Sequence, residues 1–94
     1  MSRPDLIIHD EKDNVGVVVI ETTKKGQDCS AWIMENDKTV KVQSTNDVPL
    51  GHKIALKDLK VGDTIFKYGH DIGKVVQEIK KGEHVHVHNV KTKK

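Results

Sequence analysis

A compact all-β domain, built of short strands joined by glycine corners and single helical turns, is what this sequence predicts. Three observations lead there. Aliphatic and β-branched runs are short and recur along the chain, glycines fall between them, and the segment Glu83-His84-Val85-His86-Val87-His88-Asn89 alternates imidazole with valine. Alternation is the spacing of an extended backbone, where successive side chains point to opposite faces. A strand over His84–His88 therefore puts His84, His86 and His88 on one face and Val85 and Val87 on the other. On a helix the same imidazoles would fan around the axis, and the valines would be poor helix formers.

In chain order, Leu6-Ile7-Ile8-His9 reads as a first strand, closed by the polar cluster 10–14 that turns the chain back. Val15–Ile20 is apolar at nearly every position and predicts a central strand buried on both faces. Gly16 within it marks a bulge or a close approach of another backbone. The turn Thr23-Lys24-Lys25-Gly26-Gln27-Asp28 has two relatives, Leu59-Lys60-Val61-Gly62-Asp63-Thr64 and Ile79-Lys80-Lys81-Gly82-Glu83-His84. Each predicts one helical turn, ended by a glycine at positive φ, that feeds a strand. Cys29–Met34 and Thr39–Gln43 form a hairpin around 35–38, and 46–51 is loop. His52–Leu56, Thr64–Tyr68 and Ile72–Val76 complete the strands, with helical turns over Lys57–Lys60 and Gln77–Lys80. One domain spanning residues 1–94 follows, with 1–5 and 90–94 as flexible tails.

Composition narrows the function classes. A chain of 94 residues builds one modest core and does not enclose a large active site. Aromatic content of 3% leaves few platforms for stacking bases, and the basic residues are dispersed apart from the Lys91, Lys93, Lys94 tail, so a nucleic-acid partner is not expected. Cys29 is the single cysteine, which excludes an intramolecular disulfide. Neither a signal-peptide pattern nor an apolar run near the ~20 residues of a membrane span occurs, so the expectation is a soluble cytoplasmic protein with no membrane partner.

Six histidines in so short a chain, three of them on one strand face, point to a metal site or a proton-transfer site, since imidazole ligates metals and titrates near neutrality. A solvated polar strand face is the alternative. Neighbouring same-face positions lie about 6.5 to 7 Å apart, so two imidazoles reach one ion and a third has to bend in. Further ligands are then expected from a partner subunit. Gly51-His52-Lys53 and Lys67-Tyr68-Gly69 are the second and third candidate places: Lys53 and Lys67 suit an anionic substrate, and Tyr68 suits either proton donation or a strand anchor.

Several stretches together carry a family resemblance: Asp13-Asn14-Val15-Gly16-Val17-Val18, Val48-Pro49-Leu50-Gly51-His52-Lys53-Ile54-Ala55-Leu56, Lys67-Tyr68-Gly69, Ile72-Gly73 and Gly82 through Asn89. The chain resembles the SAF domain, of β-clip fold, that begins the altronate and galactarate dehydratases. In those enzymes the module is fused to a much larger catalytic domain. A freestanding copy resembles the small subunits of the family's two-chain lyases. The resemblance implies a large-subunit partner, a small anionic 2-hydroxy acid substrate, and a divalent metal, iron(II), shared with the large subunit. It implies elimination of bisulfite from 3-sulfolactate to give pyruvate; the alternatives are dehydration of an altronate-type or galactarate-type sugar acid, or a non-catalytic carbohydrate- or metal-binding module. His52, His86 and Tyr68 are the candidate catalytic groups, Lys53, Lys67, Gly51 and Asn89 the candidate substrate contacts, and His84, His86 and His88 the candidate metal ligands.

Overall fold

The computed structural model describes residues 4–67, 69–86 and 88–92. Its strands are β1 (Leu6–Ile8), β2 (Val15–Val18), β3 (Thr22–Thr23), β4 (Asp28–Ile33), β5 (Lys38–Gln43), β6 (Val48–Pro49), β7 (Lys53–Ala55), β8 (Thr64–Lys67), β9 (His70–Val75), β10 (His84–Val85) and β11 (Val90–Thr92). Six of them form one sheet in the order β10-β7-β2-β1-β4-β5, three form a second in the order β11-β9-β8, and β3 pairs with β6. The all-β expectation holds. No helix occurs among the described residues, hence none long and apolar enough to cross a membrane.

β2 lies inside the large sheet between β1 and β7, as its unbroken apolar run predicts. The close backbone approach expected at Gly16 is not what stands nearest: a Cβ there would meet side chains, Ile8 Cγ1 at 3.4 Å and Leu56 Cδ2 at 3.6 Å, at ordinary packing distance. The two faces of the sheet feed two cores. Leu6, Ile8, Val18, Cys29, Ala31 and Ile54 belong to one; Val15, Ala55, Ile65, Val75, Ile79 and Val85 belong to the other, beneath the three-stranded sheet. Cys29 is fully buried in the first, with its thiol pushed up chiefly by burial, in keeping with a packing role. Asn14 ties the layers together: its side-chain amide donates to the Thr64 carbonyl at 2.8 Å and accepts from the Phe66 N–H at 2.9 Å.

Two local expectations are corrected. The helical turns over Lys57–Lys60 and Gln77–Lys80 do not form. Leu59 and Ile79 instead exchange two backbone hydrogen bonds, Leu59 N–H to Ile79 O at 2.7 Å and Ile79 N–H to Leu59 O at 2.9 Å, and both side chains are buried. A pairing across the fold satisfies the backbone that a helical turn would have satisfied locally. Nor are residues 5 and 90–92 tails. Asp5 exchanges bonds with Ser30 through its backbone N–H and its carboxylate, and β11 pairs with β9.

The three related turns share one construction, and it is a β-turn. In Lys24–Gln27, Lys60–Asp63 and Lys80–Glu83 the N–H of the fourth residue donates to the carbonyl of the first, at 3.0, 2.9 and 3.0 Å. The fourth side chain then accepts from the first N–H, at 3.1, 2.8 and 2.7 Å. Glycine at the third position takes φ of 85°, 93° and 90°, the signature of a type II turn. Gly82 is the most confined, because a Cβ there would collide with the Gln43 carbonyl oxygen, while one at Gly62 would meet nothing within 4 Å. Gly62→Ala should therefore cost only backbone strain, about 1–2 kcal/mol, whereas Gly82→Ala should cost about 3 kcal/mol or more, as strain and collision combine. Urea denaturation of the two variants measures the difference; equal losses would contradict the packing at Gly82.

Candidate functional site

Pairing of β10 with β7 creates the site. The register sets His84 opposite Ile54 and Val85 opposite Lys53. His52, next to β7, is thereby brought beside His84 although 32 residues separate them, and His52 Nδ1 and His84 Nε2 share a hydrogen bond of 2.8 Å. A fourth positive-φ turn delivers His52: its N–H donates to the Pro49 carbonyl at 3.1 Å, with Gly51 at φ 86°.

The predicted strand over His84–His88 is shorter than the alternation implies. β10 ends at Val85, His86 sits in a bend, His88 lies in a turn, and Val87 falls outside the described residues. Asn89 causes the departure. This buried side chain donates from Nδ2 to the His84 carbonyl at 2.8 Å and accepts at Oδ1 from the His86 N–H at 3.0 Å, while its own N–H donates to the His86 carbonyl at 3.1 Å. Asn46 accepts from the His84 N–H at 3.0 Å. Both ends of β10 are thus held by asparagine side chains. Val85 enters the core as predicted.

The bend gathers the imidazoles. His52 and His86 stack with ring centroids 4.0 Å apart and an interplanar angle of 18°; His84 and His86 are 5.7 Å apart, and His84 and His88 5.2 Å. One ring nitrogen each from His52, His84 and His86 lies within 4.8 Å of the others. Among the described residues, the converging trio contains His52 where the alternation pointed to His88. His88 is exposed, and with His84 it lines an open, polar recess of about 480 Å³ that also includes Lys25, Asn46 and Asp47. The third imidazole of the trio thus comes from the end of β7 and not from further along the alternating segment.

The surroundings of His84 and His86 disfavour their protonation. Burial, then the charges of His52, His88, His86 and Lys53, hold His84 down from 6.5 to about 4. His86 is lowered too, by burial first, then by His52, Lys53 and His88. Neutral imidazoles present lone pairs, which is what a metal or a proton requires. Lys53 is itself lowered by burial and then by Lys67, so two ammonium groups sit close enough to repel beside the cluster. Three imidazoles fit a first-row divalent cation by donor type, and iron(II) is among the metals that imidazole suits.

Sequence comparison now becomes decisive. Residues 4–93 match the altronate/galactarate dehydratase SAF domain. The chain belongs to this family. It is 50% identical over 90 residues, 96% of either chain, to the (2R)-sulfolactate sulfo-lyase subunit alpha of Chromohalobacter salexigens. The Paracoccus pantotrophus protein of the same name is 47% identical over 62 residues, 66% of this chain and 92% of its own. Altronate dehydratase of Bacillus subtilis is 40% identical over 82 residues, 87% of this chain but only 15% of that enzyme. As an SAF module, the chain shows where each expected site residue stands. His52, His84 and His86 converge, Lys53 stands beside them with Lys67 near Lys53, and Tyr68 lies outside the described residues. Gly51 is exposed with open space around it and serves the turn, and the Asn89 amide is committed to the loop backbone. Asn46 was not legible as a site residue, because it acts across the fold from a polar loop.

A pH dependence follows. The unfolded chain takes up a proton on residue 84 near 6.5, whereas the folded chain does so only near about 4. Between those values the unfolded state binds more protons, so stability falls as the pH drops through that window. Denaturation midpoints of metal-free protein across the window should show this loss, and His84→Gln should flatten it. An unchanged slope in the variant would show that residue 84 is not the group responsible.

Proposed function

We propose that the chain is the small subunit of a two-subunit carbon–sulfur lyase that eliminates bisulfite from (2R)-3-sulfolactate to give pyruvate, with the active site completed by a large subunit. The observation that carries this reading is the near end-to-end match to the sulfo-lyase alpha subunits, where the dehydratase match spans only a small part of a longer enzyme. The site agrees with it: a cluster of imidazoles, with Lys53 beside it and Lys67 near Lys53, lies open on a domain too small to enclose a substrate.

The substrate carries a carboxylate and a sulfonate, so it needs cationic groups, and Lys53 beside the imidazoles and Lys67 near Lys53 supply them. Elimination breaks the C2–H and C3–S bonds. A ring nitrogen of His52 or His86 accepts the C2 proton, the electron pair forms the C2=C3 double bond, and sulfite departs with the C–S pair. The resulting enol takes up a proton at C3 and becomes pyruvate. Sulfite leaves without prior protonation more readily than hydroxide, so neutral histidines suffice where a dehydratase needs a general acid. His84, with whichever of His52 and His86 does not take the C2 proton and with groups of the large subunit, would hold a divalent cation, iron(II) in our assignment, which when bound would absorb charge developing on the substrate carboxylate and 2-hydroxyl.

His52→Ala and His86→Ala should each lower turnover of the assembled enzyme about 100-fold or more, with the circular dichroism spectrum unchanged. Measurement of sulfite release by both variants decides the matter. Turnover at the wild-type rate in both would remove the imidazoles from the chemistry.

A further inference from the structure

The six-stranded sheet is not covered everywhere. In the β4–β5 ladder Cys29 pairs with Val42 and Ala31 with Val40, so these four side chains share the core face. Cys29 and Ala31 are 0% exposed and Val42 is 3%, yet Val40 is 39% exposed. The inner face therefore opens at its β5 end. A groove of about 560 Å³ lies there, floored by Ile8, Ile33, Val42 and Leu56.

Three lysines, Lys12, Lys57 and Lys81, stand around this groove, while Lys41 points to the opposite face of the sheet, where its ammonium donates to Ser30 Oγ at 2.8 Å. Its two carboxylates are already engaged: Glu11 accepts from Asn36, and buried Asp13 accepts from the N–H groups of Asp10 and Gly69. Among the described residues none of these three ammonium groups has a carboxylate partner, and they outnumber the one exposed carboxylate of the rim, Glu11. A mainly positive rim around apolar surface is complementary to an apolar segment flanked by acidic residues. A second copy of this chain would set one such rim against another. In the Bacillus subtilis altronate dehydratase most of the chain lies outside the matched module, so a module of this kind has a much larger neighbour to meet.

We propose that this groove is where an acidic, apolar-tipped segment of the large chain docks, an inference that rests on the two-chain reading above. Leu56 and Lys57 continue directly from β7, whose other end carries His52, so docking there braces the strand that positions the imidazole.

Affinity of the full chain for its cognate large chain, read by biolayer interferometry at low and high salt, tests this. Lys12→Glu combined with Lys57→Glu and Lys81→Glu, and separately Val40→Asp, should each weaken binding about tenfold or more, while thermal melting shows the variants folded. Added salt should weaken the wild-type complex. A matched pair of surface reversals elsewhere, Lys60→Glu with Lys74→Glu, should leave affinity unchanged. A wild-type complex indifferent to the groove substitutions overturns the groove as the docking surface, and so does self-association of the chain that Val40→Asp abolishes. A wild-type chain that does not bind the large chain at all overturns the two-chain reading itself.

Discussion

Two short strands far apart in the chain, β7 and β10, pair antiparallel in a register that sets His84 across from Ile54 and Val85 across from Lys53. Everything at the site descends from that register. It buries Val85 in the second core, turns His84 outward and seats it against His52. A slip of one residue would exchange the faces, sending the valine to solvent and the imidazole into the core. Burial of Val85 therefore fixes the position of the His84 imidazole by an apolar contact made one residue away.

The loop after β10 is held as firmly as the strand. Gly82 pins its entry, with its own N–H donated to the Ala55 carbonyl and its carbonyl accepting from Thr45. Asn46 and Asn89 then take up the backbone groups that the short strand leaves unpaired. Rigid support of this kind lets imidazoles crowd together, where protonation of His84 and His86 is disfavoured. Lys53 adds positive potential beside them, which suits the anionic substrate of the proposed reaction.

Much of this was readable in the residues. Alternation of imidazole and valine placed Val85 in the core and His84 and His86 at the site, and the apolar run from Val15 put β2 inside the sheet. The glycine corners were legible as positive-φ positions because only glycine takes that backbone freely. Their flanks were not, since Leu59 and Ile79 satisfy each other across the fold, and no local pattern encodes a partner twenty residues away. The same reason hid the end of β10: the Asn89 side chain competes with the ladder for the backbone, and sequence periodicity does not register that competition. His52 stood out by its motif, yet its membership of the nitrogen trio, in the position alternation gave to His88, is a product of tertiary pairing.

Under the two-subunit reading proposed here, this small β-domain contributes its imidazole cluster to a site that a larger neighbour completes. The imidazole cluster and the lysine-rimmed groove stand at opposite ends of β7, so a large chain that occupies the groove steadies the strand while reaching toward the histidines. The most direct measurement is a structure of the two-chain assembly with substrate bound. The account predicts the ring nitrogens of His52, His84 and His86 facing the large chain across one closed cleft, in contact with substrate or with a cation that holds it. Those rings pointing to bulk solvent, with the substrate enclosed by the large chain alone, would contradict it.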